Sequence, residues 1–196
     1  MALNRFGGID TGAHGAMCVV NRKGSVVGHA RSMLLAHGRD SNNPADRYNI
    51  SGSHDQLRQR KSKLLCDRIL IEKPFRPAKR RRGYMISARD ESYLWFSYTL
   101  WHAQLISLGI CDQENIHPVS PRHWKEKMDD GSYEWRSKGR RSGANKKASV
   151  DFAMRLCLDG KFKQLLVNTP GDLKHGYAEA YLIALFCVQQ FKHEKE

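Results

Sequence analysis

Three acids and a histidine, far apart in the chain, could share one chemistry. Glu72 closes the run Ile69-Leu70-Ile71-Glu72, which Lys73-Pro74-Phe75 then cuts off. Asp10 closes the first apolar run and is followed by the turn Thr11-Gly12-Ala13-His14-Gly15. Glu179 stands three, four and seven residues before Leu182, Ile183 and Phe186, and His175 stands four before Glu179. In a strand, Ile69 and Ile71 point to one face while Leu70 and Glu72 point to the other, so both faces read as buried. A carboxylate buried there without a partner is costly, by roughly several kcal/mol, so it calls for a metal, a cation or an active site. A salt bridge from Glu72 to Lys73 or to a nearby arginine is the plainer reading of Glu72 alone. Asp10 and Glu179, placed alike, make one shared site the stronger reading.

Two carboxylates at adjacent strand ends and a third reaching in from a helix form the donor set of a Mg²⁺-dependent phosphodiester hydrolase. Mg²⁺ is hard, takes oxygen ligands and keeps several waters. A pair of such ions roughly 4 Å apart can activate a water and stabilise the leaving oxygen. His175 alone reads as a histidine satisfied at a helix N-terminus; beside Glu179 on one helical face it becomes a metal ligand or a general base.

The elements that must position these groups can be read in order. Residues 6–10, 16–20 and 25–33 form an antiparallel meander with a turn at Asn21-Arg22-Lys23-Gly24, and residues 36–52 are loop-like. A polar helix over 53–65, capped by Ser53, leads to a strand over 68–72 that lies parallel to the first. Residues 90–108 carry Leu94, Tyr98, Trp101, Leu105 and Leu108 at helical spacing, together with Trp95 and Phe96. This helix is apolar nearly all round, and its second face predicts a partner subunit. A short strand over 115–119, a short helix opening at Ser120-Pro121, a helix over 144–158 and a last helix over 177–190 complete the reading.

With 196 residues the chain has room for one domain, taken as residues 1–196. The 33 Lys and Arg against 20 Asp and Glu leave a net charge of +13, which predicts a polyanionic partner, nucleic acid first. Two stretches concentrate that charge. Arg76, Lys79, Arg80, Arg81 and Arg82 follow directly on Glu72 and are placed to hold a phosphate backbone. Residues 129–147, with Lys146 and Lys147 at their end as DNA-binding candidates, read as a mobile basic arm that orders on nucleic acid. The five cysteines are widely spaced among apolar residues and read as reduced, buried side chains. No apolar run approaches the roughly 20 residues that cross a bilayer, and no leader is evident, so a cytosolic or already mature chain is expected.

Taken together, Gly8-Ile9-Asp10-Thr11-Gly12, Ile71-Glu72-Lys73-Pro74, Pro118-Val119-Ser120-Pro121-Arg122-His123-Trp124-Lys125 and His175-Gly176-Tyr177-Ala178-Glu179-Ala180 resemble the RuvC-like Holliday-junction resolvases. The likeness is to the phage and bacterial branch and to the chloroplast resolvase of plants, and it spans nearly the whole chain. It implies an α/β, ribonuclease-H-like fold with a five-stranded mixed sheet flanked by helices. It also implies a homodimer that resolves four-way DNA junctions by paired nicks. Asp10, Glu72, His175 and Glu179 would be the catalytic and metal-binding quartet, for Mg²⁺ with Mn²⁺ as a substitute. Trp124 and Lys125 match the family's Trp-Lys element, structural or DNA-contacting. Bacterial RuvC proper has aspartates in the last helix, where this chain has His175 and Glu179. The implied compartment is the cytoplasm of a phage-infected or bacterial cell, or an organelle matrix for a processed chain. Three alternatives stand beside this reading. One is an actin-like or sugar-kinase domain, which would need a second phosphate loop. The others are a nuclease of the same fold acting on flaps or RNA–DNA hybrids, and a non-catalytic DNA-binding protein.

Overall fold

Alternation of side chains along five short strands decides how the molecule is layered. A computed structural model describes residues 4–12, 14–31, 48–74, 88–128 and 142–194. Strands β1 (Arg5–Asp10), β2 (Ala16–Asn21) and β3 (Val26–Arg31) form the expected antiparallel meander. Strands β4 (Arg68–Glu72) and β5 (Ile116–Val119) add to it in parallel, giving the order β3-β2-β1-β4-β5. The chain is thus α/β, with a five-stranded mixed sheet flanked by helices.

On one sheet face Ile9, Met17, Val19, Ile69 and Ile71 pack against helices α1 (Ile50–Leu64) and α2 (Ala88–Ser107), through Leu57, Leu64, Trp101 and Leu105. On the other, Phe6, Cys18, Val20 and Leu70 meet α3 (Pro121–Met128), α4 (Ser142–Leu156), α5 (Gly160–Asn168) and α6 (Gly171–Phe191). Helix α6 is the centre of this second layer, buried without a break from Gly176 to Ala184. It lies on β1 so closely that a Cβ at Gly8 would run into the backbone of Ala180 and Ala184, so glycine is what lets helix and strand meet. A Cβ at Gly176 would likewise meet the carbonyl of His14, which locks the start of α6 onto the turn after β1.

Several boundaries differ from expectation for identifiable reasons. Helix α1 starts at Ile50, because the Asn49 side chain accepts from the Gly52 N–H at 2.8 Å. Ser53, the expected cap, is instead buried and donates to Gln104 Oε1 at 3.2 Å. The basic arm expected over 129–147 is helical from Ser142, so Lys146 and Lys147 belong to α4, and residues 129–141 lie outside the described residues. Helix α5 was not foreseen. Its signals are the cap Asp159, which accepts from the Phe162 N–H at 2.9 Å, and the buried pair Phe162 and Leu166 one turn apart. Helix α6 begins at Gly171, six residues before the expected start, which brings His175 into it. The continuation of β3 to Met33, most of the 36–52 loop and the cations Arg76 and Lys79 to Arg82 lie outside the described residues. All five cysteines are free thiols, four of them buried. Among the described residues no helix is long and apolar enough to cross a membrane.

Candidate metal centre

The site forms where two parallel strands end beneath one helix. The β1–β4 register pairs Gly8 with Leu70 and Ile9 with Ile71, so Asp10 and Glu72 follow at the next position on neighbouring strands. Period-two alternation gives both of them the face of Gly8 and Leu70, which is the face α6 covers. The strand ends are tied together: Thr11 Oγ1 donates to the Glu72 carbonyl at 2.9 Å, and the Lys73 N–H to the Val119 carbonyl at 2.8 Å. The Gly12 N–H donates to Asp10 Oδ1 at 2.9 Å and holds that carboxylate in the glycine turn.

From above, α6 lowers Glu179 and, one turn earlier, His175. One ligand atom each from Asp10, His175 and Glu179 lie within 4.8 Å of one another, with Asp10 and Glu179 buried and His175 partly exposed. Glu72 is not part of that mutual trio; its Oε2 accepts the Trp124 indole N–H at 2.7 Å. The Glu72–Lys73 bridge does not form its environment, for Lys73 Nζ lies over the Trp95 ring, 6.0 Å from its centroid. The cation of the site is Lys125, whose Nζ is 2.6 Å from Glu179 Oε1. The same oxygen takes the Ser149 hydroxyl at 2.8 Å and faces His175 Nε2 at 3.2 Å.

Electrostatics divides the three acids. Burial first, then Glu179 and Asp10, pushes Glu72 up to about 8. Burial and Glu179 likewise raise Asp10 to about 6. Burial pulls Glu179 upward too, but Lys125 and His175 outweigh it and hold Glu179 at about 2. Lys125, opposed by its own burial, is kept protonated by Glu179 and Glu72. One ammonium therefore secures one carboxylate and leaves Asp10 and Glu72 without a cation of their own, costly to ionise where they are buried side by side. A hard divalent cation would offset that cost on oxygen donors, and the trio with Glu72 beside it is the donor set that could hold one.

Trp124 and Lys125 thus enter the site from α3 and meet carboxylates. Trp124 is fully buried, so its ring touches the core and its N–H touches Glu72, and it presents no surface to nucleic acid. Lys125 keeps about a quarter of its side chain exposed at the mouth. Helix α3 is set for this by Ser120, whose hydroxyl accepts from the His123 N–H at 3.1 Å, with Pro121 as first helical residue. Ser149 is the contact of the acid cluster that the sequence did not betray. It is a fully buried hydroxyl on α4, and a buried hydroxyl needs a partner, but which one depends on how α4 crosses α6. Lys146 and Lys147 sit less than a turn before it, Lys146 partly exposed and Lys147 exposed.

No protein-family model matches this chain, and no curated protein matches it.

Proposed function

We propose that this chain is a metal-dependent endonuclease of ribonuclease-H-like fold that resolves four-way DNA junctions as a homodimer. The observation that carries the reading is the meeting of Asp10, Glu179 and His175 ligand atoms within 4.8 Å at the mouth of two parallel strands, with Glu72 on the neighbouring strand. The residue types are hard oxygen donors plus one imidazole, as Mg²⁺ or Mn²⁺ chemistry at a phosphodiester requires. A bound Mg²⁺ would supply an activated water and stabilise the leaving oxygen. The chain's own groups do the rest. Ser149 orients Glu179, Trp124 orients Glu72, and Lys125 presents an ammonium at the mouth where a phosphate would enter. The net charge of +13 favours a nucleic-acid backbone as the bearer of that phosphate. The homodimer reading rests on α2: Trp101 and Leu105 are buried against α1 and the sheet, while Leu94, Trp95, Phe96 and Tyr98 stay partly exposed.

The test compares four-way, flap, RNA–DNA hybrid and plain duplex substrates with Mg²⁺, Mn²⁺ and neither, using wild type, Asp10→Asn, His175→Ala and His175→Asp. The expectation is paired nicking of the junction by wild type, none by Asp10→Asn, strong impairment by His175→Ala and retained Mg²⁺ activity in His175→Asp. Wild-type rates from Asp10→Asn would sink the site. Preference for the hybrid or flap would keep the nuclease and replace its substrate.

A further inference from the structure

On the far edge of the sheet from β5, strand β3 runs along a cleft of about 440 Å³ that takes no part in the acid site. Val26, Val27, Gly28 and His29 of β3 form its floor. Helix α1 supplies Arg60 and Lys63 from one face of the sheet, and the start of α5 supplies Lys161 and Phe162 from the other. These three cations are exposed, and among the described residues none of them has an ion-pair partner. The one acid of the cleft, Asp159, is occupied as the cap of α5 through the Phe162 N–H. The His29 ring packs against Tyr177 at 5.4 Å and Phe162 at 6.1 Å between centroids, so it is wall and not charge.

An open strand edge is also a place where a peptide could add as a further strand. Here the edge is guarded. Arg60 Nη1 donates to the His29 carbonyl at 3.0 Å, and the Arg31 N–H donates to Gln56 Oε1 at 3.0 Å. What remains on offer is positive charge from both sheet faces over an apolar floor, which suits a phosphate chain carrying sugars and not an extended peptide.

We propose that this cleft is a second nucleic-acid contact, at which Arg60, Lys63 and Lys161 hold backbone phosphates of a DNA arm away from the acid site. The register places it within reach of one bound molecule. Gly8 pairs with Cys18 and Cys18 with His29, so the His29 end of the cleft lies level with Gly8, two residues or about 7 Å short of Asp10 along the strands. Two strand spacings, about 10 Å, separate β3 from β1. The contact is sequence-independent, because point charges on phosphates read no base edges. It goes beyond the endonuclease reading and needs only that the polyanion be nucleic acid.

The experiment measures binding of labelled duplex and four-way DNA by fluorescence anisotropy in EDTA across a salt series, so that cleavage plays no part. Wild type is compared with the triple variant Arg60→Ala, Lys63→Ala, Lys161→Ala, and with a control that removes equal charge elsewhere, Arg58→Ala, Lys61→Ala, Lys192→Ala. Each lost phosphate contact lowers the slope of log K against log salt by about 0.9, so the triple variant should lose roughly 2 to 3 in slope and the control far less. The charge-preserving exchanges Arg60→Lys, Lys63→Arg and Lys161→Arg should keep most of the wild-type slope. If removing Arg60 unfolds the edge, the exposed Lys63→Ala and Lys161→Ala singles carry the test, each expected to lose about 0.9. An unchanged slope, or equal losses in triple variant and control, overturns the proposal. Failure of Asp10→Asn to abolish nicking would overturn the endonuclease site and leave this contact standing.

Discussion

Glu72→Gln should stabilise the metal-free protein at alkaline pH while abolishing its metal-dependent activity. In the folded chain Glu72 is pushed up to about 8, first by burial and then by Glu179 and Asp10, against an ordinary value of 4.5. Between those two pH values the folded chain holds a proton that the unfolded chain has released, so stability falls as pH rises through the window. Asp10 acts with the same sign, but its window, 3.8 to about 6, closes earlier. Glu179, held at about 2, acts with the opposite sign: its contribution is complete above 4.5 and is lost as pH falls toward 2. From pH 6 to 8, therefore, Glu72 governs the slope among the acids of the site. A full unit of pH is worth about 1.4 kcal/mol per proton. Glu72 is only partly buried as a residue, and solvent screening leaves roughly 2 kcal/mol over this range. For a chain of this length that is a fall in Tm of roughly 4 to 8 °C. Gln keeps the shape and the acceptor for the Trp124 N–H but cannot ionise. Thermal unfolding in EDTA at closely spaced pH values, wild type minus Glu72→Gln, isolates the effect from other titrating groups. With Mg²⁺ added, wild type should regain stability, more at pH 8 than at pH 6, and the variant should regain less. A difference in Tm that stays flat from pH 6 to 8 would refute the reasoning.

Trp124→Phe removes the indole N–H from Glu72 and leaves a gap where the larger ring was fully buried; it should cost about 2 kcal/mol in urea unfolding and slow nicking, and unchanged values for both would show the contact to be idle. Gly8→Ala should be more damaging, by about 3 kcal/mol or more, because its Cβ meets the α6 backbone and not a movable side chain; calorimetry showing a Tm within a degree or so of wild type would mean that α6 sits farther from β1.

Strand alternation and helical spacing are local properties, and they were sufficient to place the acids on their elements. The apolar pattern of Ile69 to Glu72 already puts Glu72 opposite Ile71, and the stripe through Leu182, Ile183 and Phe186 already puts Glu179 on a buried face. The meander, the parallel strand after α1, the serine cap of α3 and the reduced cysteines follow from the same short-range rules. The parallel register is not local. That Asp10 and Glu72 end side by side depends on Ile9 pairing with Ile71 across 62 residues of chain, and on Gly8 letting α6 lie against β1. The partners of the acids depended on more still. Lys73, next in sequence to Glu72, extends toward Trp95, because successive side chains on a strand point to opposite faces. Lys125 and Trp124, far along the chain, fill the place instead because α3 docks beside α6. Ser149 reaches Glu179 for the same kind of reason. Spacing along a helix specifies which residues share a face; which face meets which is decided by packing several helices on one sheet, and only the tertiary structure contains that.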